Sequence, residues 1–175
     1  VNEPLSVRLA GEYDIWDKRD ERVDLFQYGL NSEDLDWERL LNVFGDNAYT
    51  LYLVHNGRPL KYAREKENKS IITQGGFTMK FEGLTLLCCN AARYNSMLFD
   101  SMVKEEHDGC LGFKWTGRNW LVSLYGVKHK DVDLSAIAKK YGGGGHKKAC
   151  GFACDELPFN LNIAVSQPDT RPDPT

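Results

Sequence analysis

At Gln74-Gly75-Gly76 the hydrophobic pattern of the chain changes period. Upstream, apolar residues recur at helical spacing; downstream they alternate, or run on unbroken, as they do in strands. In the upstream part Leu5, Leu9, Tyr13 and Trp16 stand near helical spacing. Asp34 is placed to cap a helix whose apolar side is Trp37, Leu40, Leu41 and Phe44, ending at Gly45. Asn47 is read as the cap of a second stretch that runs to about His55, with Asn56-Gly57 as its stop. Pro59 then fits the first turn of a long polar helix reaching about Thr73.

Beyond the break, Phe77 to Phe81 alternates apolar and polar residues, and Leu84 to Cys89 is apolar enough for a buried strand. Ser96 to Lys104 reads as a short helix. Gly109 to Trp115 and Trp120 to Tyr125 read as a hairpin about Thr116-Gly117-Arg118-Asn119. Asp133 caps a further helix, with Leu134, Ile137, Ala138 and Tyr141 facing inward. Residues 167–175 are rich in Pro and Asp and read as disordered. The order predicts an α/β fold: a mixed β-sheet with flanking helices, preceded by a helical linker.

The chain of 175 residues, 42% hydrophobic and 27% charged, has the composition of a globular protein with a real core. A net charge of −3 argues against a general nucleic-acid coat, which carries a broad basic field. Charge is uneven, however. Six lysines (Lys128, Lys130, Lys139, Lys140, Lys147, Lys148) face two acids (Asp131, Asp133) between residues 128 and 148, a local balance of +4. Such a patch suits a small anionic ligand or a strand end better than a long duplex, and it also fits an ordinary solvated helix face. The five cysteines (Cys88, Cys89, Cys110, Cys150, Cys154) are odd in number and lack zinc-like spacing. They read as reduced, mostly buried thiols, which implies a cytoplasmic setting. No signal peptide is evident, and no apolar run approaches the roughly 18 residues that would span a membrane.

Gly142-Gly143-Gly144-Gly145-His146 follows the last helical pattern directly. Consecutive glycines forfeit backbone entropy, so they are kept where the chain needs positive φ or approaches something closely. Without Cβ atoms, successive N–H groups can point into one concavity and hold a phosphate. If a helix begins at about His146, its first-turn N–H groups add to that site, with His146 as a donor and Lys147 and Lys148 raising the potential. The alternative is a flexible or C-capping glycine loop beside a solvated His-Lys-Lys face.

The stretch from Val132 to Phe152, VDLSAIAKKYGGGGHKKACGF, resembles the signature of the DHH-associated domain, the C-terminal half of DHH-superfamily phosphoesterases. These include RecJ-type exonucleases, nanoRNases, cyclic-dinucleotide phosphodiesterases and exopolyphosphatase-like proteins, and a related domain ends alanyl-tRNA synthetase. The resemblance implies the substrate-binding part of a metal-dependent phosphoesterase that acts on short oligonucleotides, cyclic dinucleotides or polyphosphate. The runner-up is a nucleic-acid-binding module without hydrolase activity. It further implies that residues 1–20 are the tail of a DHH catalytic domain, 21–74 a helical linker, 75–166 the DHH-associated domain and 167–175 a disordered tail. The parent would use divalent metal, Mn2+ or Mg2+, with none expected on the fragment. Partners would be a phosphate-bearing substrate such as a nucleotide or short single strand, the missing N-terminal DHH domain, and a second copy if the parent dimerises, with no membrane.

By the family pattern Gly142 to Gly145 and His146 meet a substrate phosphate. Arg93, in Asn90-Ala91-Ala92-Arg93, would fork onto a phosphate or stack on a base; otherwise it is a surface arginine. Ser123-Leu124-Tyr125-Gly126 aligns with a segment that in relatives reads Ser-x-Arg-Ser, so Ser123 is retained as a phosphate contact while Tyr125 stands in place of an arginine. Asp14, in Glu12-Tyr13-Asp14-Ile15-Trp16, resembles a late metal-ligating aspartate, with Asp17 a weaker neighbour. The Asp-His-His set that would complete two metal sites is absent, and one carboxylate does not hold a metal pair. Phe113, Trp115, Trp120 and Tyr125 are candidates for base stacking, although alternation sends half of them to the core.

Overall fold

The computed structural model of the chain describes residues 3–15, 17–34, 38 and 45–161. Trp16, the expected helix bearing Trp37, Leu40, Leu41 and Phe44, and the tail 167–175 lie outside the described residues. The chain divides into two compact units, residues 1–67 and 68–175.

In the first unit, α1 (Leu5–Asp14), α2 (Arg22–Leu30) and the start of α3 (Asn47–Gly75) gather Leu9, Val23, Phe26 and Leu53 into a core closed to solvent. Leu5, Tyr13, Leu30 and Val54 pack around it. The loop between α1 and α2 is tied by charge. Arg8 reaches Glu12 at 2.6 Å and Asp20 at 2.8 Å, while Arg22 meets Asp20 at 2.7 Å.

α3 corrects two expectations. Its cap is Asp46, not Asn47: the Asp46 carboxylate accepts from the amides of Ala48 at 2.8 Å and Tyr49 at 3.2 Å. Nor does it stop at Asn56-Gly57. One helix of 29 residues runs through both these residues and Pro59. Gly57 is a contact, not a terminator: a Cβ there would lie 1.8 Å from the Leu25 carbonyl oxygen. A Cβ on Gly29 would likewise lie 2.0 Å from that of Leu53. The two glycines let the α2 and α3 backbones touch, and that packing outweighs a glycine's helix penalty of about 1 kcal/mol.

The second unit is a mixed six-stranded sheet in the order β1-β2-β3-β4-β6-β5. Its strands are β1 (Gly76–Phe81), β2 (Leu84–Asn90), β3 (Gly109–Trp115), β4 (Trp120–Gly126), β5 (Gly144–His146) and β6 (Ala149–Cys154). Only β2 and β3 run parallel. Alternation sends Leu86, Cys88, Leu111, Phe113, Val122, Leu124 and Phe152 to one face, where α4 (Ser135–Lys140) covers them with Leu134 and Ala138. Leu87, Cys89 and Cys110 point the other way, under Ile72 of α3 and under Leu98 and Phe99. All five cysteines are free, and adjacent Cys88 and Cys89 face opposite sides.

Three further expectations are corrected in this unit. The helix expected over Ser96 to Lys104 is a single 3-10 turn, Ser96–Leu98, started by the Asn95 side chain accepting from the Met97 amide at 3.1 Å. And no helix starts at His146. It ends β5, and Lys147-Lys148 turns the chain into β6, pairing Gly144 with Gly151, Gly145 with Cys150 and His146 with Ala149. The expected Asp133 cap stands one position early: its carboxylate accepts from the Ser135 amide at 3.0 Å and hydroxyl at 2.6 Å, ahead of Leu134 at the cap itself. No described helix is long and apolar enough to cross a membrane.

Candidate functional site

The glycine run splits into two halves. Gly142 sits at φ +76 just past the end of α4, and its amide donates to the Lys139 carbonyl at 3.0 Å. The Gly143 amide donates to the Ala138 carbonyl at 2.9 Å. Those two bonds form a Schellman cap, in which a left-handed glycine lets the chain satisfy the last carbonyls of the helix. Both N–H groups are therefore spent, and the C-capping alternative accounts for this half. Gly143 is also pressed on β6, where a Cβ would lie 2.1 Å from the Gly151 carbonyl oxygen and 2.6 Å from Phe152 Cβ.

Gly144 to His146 behave differently. β5 is an outer strand, so one residue in two directs its backbone groups away from the sheet. Gly145 needs to be glycine, at φ +131 and with Cys150 Cα 2.6 Å from where a Cβ would sit. Gly144 has no such need, since a Cβ there would meet no atom of the described residues within 4 Å. His146 is exposed, and its ring bonds to nothing among the described residues.

The flanking lysines contribute less field than their number suggests. Lys147 pairs with Asp131 at 2.8 Å, and Lys148 donates to the Val127 and Lys130 carbonyls. Lys140 pairs with Glu82 at 2.6 Å and Lys130 with Asp108 at 3.4 Å. Two of these acids, Glu82 and Asp108, lie outside the 128–148 window that carries the surplus of lysines.

Strand register places Ser123 with the outer half of the run. Gly112, Ser123, Gly151 and Gly144 form one row across β3, β4, β6 and β5, with side chains on the same face. Tyr94 enters this row from the loop after β2. Its ring lies on Gly112, where a Cβ would be 2.3 Å away, and its hydroxyl donates to Ser123 Oγ at 3.3 Å. Tyr94 meets Tyr125 edge-on, with ring centroids 6.5 Å apart. Tyr125 packs against Phe99 as well, and burial pushes the phenols of both Tyr94 and Tyr125 up. Arg93, next to Tyr94 in sequence, is exposed, and its guanidinium is unpaired among the described residues. Sequence reasoning passed over Tyr94; the signal for it was Gly112, an unexplained glycine inside an otherwise apolar strand.

Of the aromatic candidates, Phe113 is core, and Trp120 packs on the same core with Trp115 edge-on to it at 5.4 Å. Trp115 remains half exposed at the hairpin end.

Asp14 is the last residue of α1, exposed, in the first unit. The acids around it are engaged: Asp17 by Arg19 at 2.5 Å, Glu12 by Arg8, and Asp20 by Arg8 and Arg22. The two arginines hold the Asp20 carboxyl well below the usual carboxylate range. Among the described residues no three His, Cys, Asp or Glu side chains are grouped to hold a metal ion. The donor set of the described residues does not fit a two-metal centre.

No protein-family model matches the sequence, and no curated protein matches it. Solved structures do match in fold. The pGpG-specific phosphodiesterase PggH from Vibrio cholerae superposes with a TM-score of 0.54 at 15% identity, over 87% of this chain and 62% of its own. The DHH domain of a protein described as a member of a ribosomal-protein family gives 0.53 at 12% identity, over 82% of this chain and 41% of its own. This chain therefore spans about three-fifths of the first and two-fifths of the second. Likeness at such identity is likeness of fold, and the fold is the one the DHH resemblance implies.

Proposed function

We propose that this chain, sharing its fold with a DHH-domain protein and a phosphodiesterase, supplies the substrate-phosphate contacts of a metal-dependent phosphoesterase. Its substrates would be short oligonucleotides, cyclic dinucleotides or polyphosphate. The observation that carries the reading is the outer half of the glycine run. Gly143 and Gly145 are required by packing, and Gly142 by its backbone, but Gly144 and the exposed His146 answer to nothing among the described residues. A glycine facing open space on an outer strand lets a ligand approach the backbone closely. His146 would donate a ring N–H to a phosphoryl oxygen, with Ser123, in the same row as Gly144, and the exposed Arg93 as further donors.

Divalent ions in such an enzyme activate water and neutralise phosphate charge. This chain is assigned the binding of the phosphate.

Calorimetric titration of pGpG, a 5′-phosphorylated trinucleotide and tripolyphosphate tests the reading. His146→Ala is expected to lower affinity for at least one of them by about tenfold, the worth of one charge-assisted hydrogen bond. Unchanged affinity for all three removes the phosphate role. Affinity that instead grows with RNA length and ignores the terminal phosphate points to the nucleic-acid-binding alternative.

A further inference from the structure

Glu82 is, among the described residues, the one non-glycine at positive φ, +51, followed by Gly83 at +79. The pair forms the two-residue loop that joins β1 to β2. Loops with both residues at positive φ favour Asn-Gly or Gly-Gly, because a left-handed backbone strains a residue with a long side chain. Glutamate is a poor choice for this turn on local grounds, so its carboxylate must be useful elsewhere.

It is used at the end of α4. Lys140 Nζ lies 2.8 and 2.6 Å from the two Glu82 carboxylate oxygens, and the Tyr141 hydroxyl donates to Oε1. The Tyr141 ring is stacked between Phe81, with centroids 5.7 Å apart, and Phe152 at 4.7 Å. The hydrogen bond with Glu82 raises the Tyr141 phenol to about 12, while Lys140 and Tyr141 draw the Glu82 carboxyl down. Tyr141 is the residue from which Gly142 departs. A turn at the β1 edge thus grips the end of the helix that launches the glycine run onto β5, the opposite edge.

We infer that Glu82 is a positioning residue: by clasping Tyr141 and Lys140 it sets the path of Gly142 to His146. The inference rests on the phosphate-binding reading above for its functional meaning. The clasp accounts for a strained glutamate where the turn itself would be better served by glycine or asparagine.

Three variants and three measurements test it in the intact chain. Glu82→Gly relieves the turn while removing the clasp, Tyr141→Phe keeps the stacked ring but deletes the hydroxyl, and Glu82→Gln restores an oxygen acceptor. Amide hydrogen exchange at Gly142 and Gly143 is expected to quicken about tenfold in the first two variants, without loss of thermal stability in Glu82→Gly. Affinity for pGpG should fall about fivefold in both, and Glu82→Gln should recover most of it. Exchange within twofold of wild type in both variants overturns the inference, as does unchanged pGpG affinity where the wild type binds it. If exchange quickens while wild type and His146→Ala bind none of the phosphate probes, the clasp stands and the phosphate reading falls.

Discussion

Gly142 and Gly143 lie beside Gly144 to His146 in sequence, yet the fold treats them oppositely. The first pair is consumed by structure: a left-handed backbone, two capping hydrogen bonds and a Cβ position filled by β6. In the second group only Gly145 has a structural reason to be what it is. The contrast teaches that a glycine-rich motif is not one signal. A run that reads as a single phosphate cradle is a helix cap joined to a strand, and only the strand has anything left to offer a ligand.

The largest effect that would test this division is at Gly143. An alanine Cβ would lie 2.1 Å from the Gly151 carbonyl oxygen, and backbone cannot yield as a flexible side chain can. Gly143→Ala should cost about 3 kcal/mol, the upper end for overpacking, seen as a lower midpoint in urea unfolding. A loss under about 0.5 kcal/mol, the level of an ordinary surface change, would break the claim that packing requires this glycine.

The same contrast between employed and unemployed groups separates two histidines. His107 is buried; its Nδ1 accepts from the Lys104 amide at 2.9 Å, which places the ring proton on Nε2, 3.1 Å from Thr78 Oγ1. Burial lowers its pKa, so the unfolded chain binds this proton at higher pH than the folded one. Stability contributed by neutral His107 is then present above about pH 6.5 and declines as pH falls below it, by at most about 1.4 kcal/mol per pH unit. Unfolding midpoints from pH 7.5 to 5 should show this decline in wild type and in His146→Gln, and a shallower one in His107→Gln. An equal decline in all three would place the acid sensitivity elsewhere.

How much of this was legible beforehand follows from the range of the interactions involved. β1 to β4 and the inward residues of α4 follow from local alternation and periodicity, and the structure has them where the pattern put them. Asn56-Gly57 and Pro59 misled because the helix through them is held by a contact with Leu25, far away in sequence. β5 and β6 were invisible for a similar reason. Three residues, two of them glycine, carry no period, and β5 exists only through pairing with Ala149 to Gly151. The lysine count alone overstates the local field because Glu82, the partner of Lys140, lies 58 residues upstream. At the candidate site, the split of the glycine run into a helix cap and a strand was hidden, because it depends on hydrogen bonds and pairings that a sequence does not display.

Gly142 gives a smaller effect than Gly143 and a different mechanism. Among the described residues nothing lies within 4 Å of its missing Cβ, so alanine there clashes with none of them and is opposed by φ +76. Gly142→Ala should cost about 1 kcal/mol, and Gly142→Asn less, because asparagine tolerates the left-handed region better. Alanine as costly as at Gly143 would mean that packing, not backbone conformation, fixes both positions.

Gly144 is where the comparison is sharpest, because its expected effect on stability is the smallest. It has neither positive φ nor any atom of the described residues within 4 Å of where a methyl group would sit, so Gly144→Ala should leave unfolding within about 0.5 kcal/mol of wild type. If the open side of β5 receives a phosphate, the same methyl group stands between ligand and backbone. Affinity for pGpG should then drop by about tenfold, and by more in Gly144→Val. Stability and affinity falling together would make Gly144 another structural glycine. Both unchanged would leave His146 without its neighbour's support, and the ligand would have to approach the row from the Ser123 side.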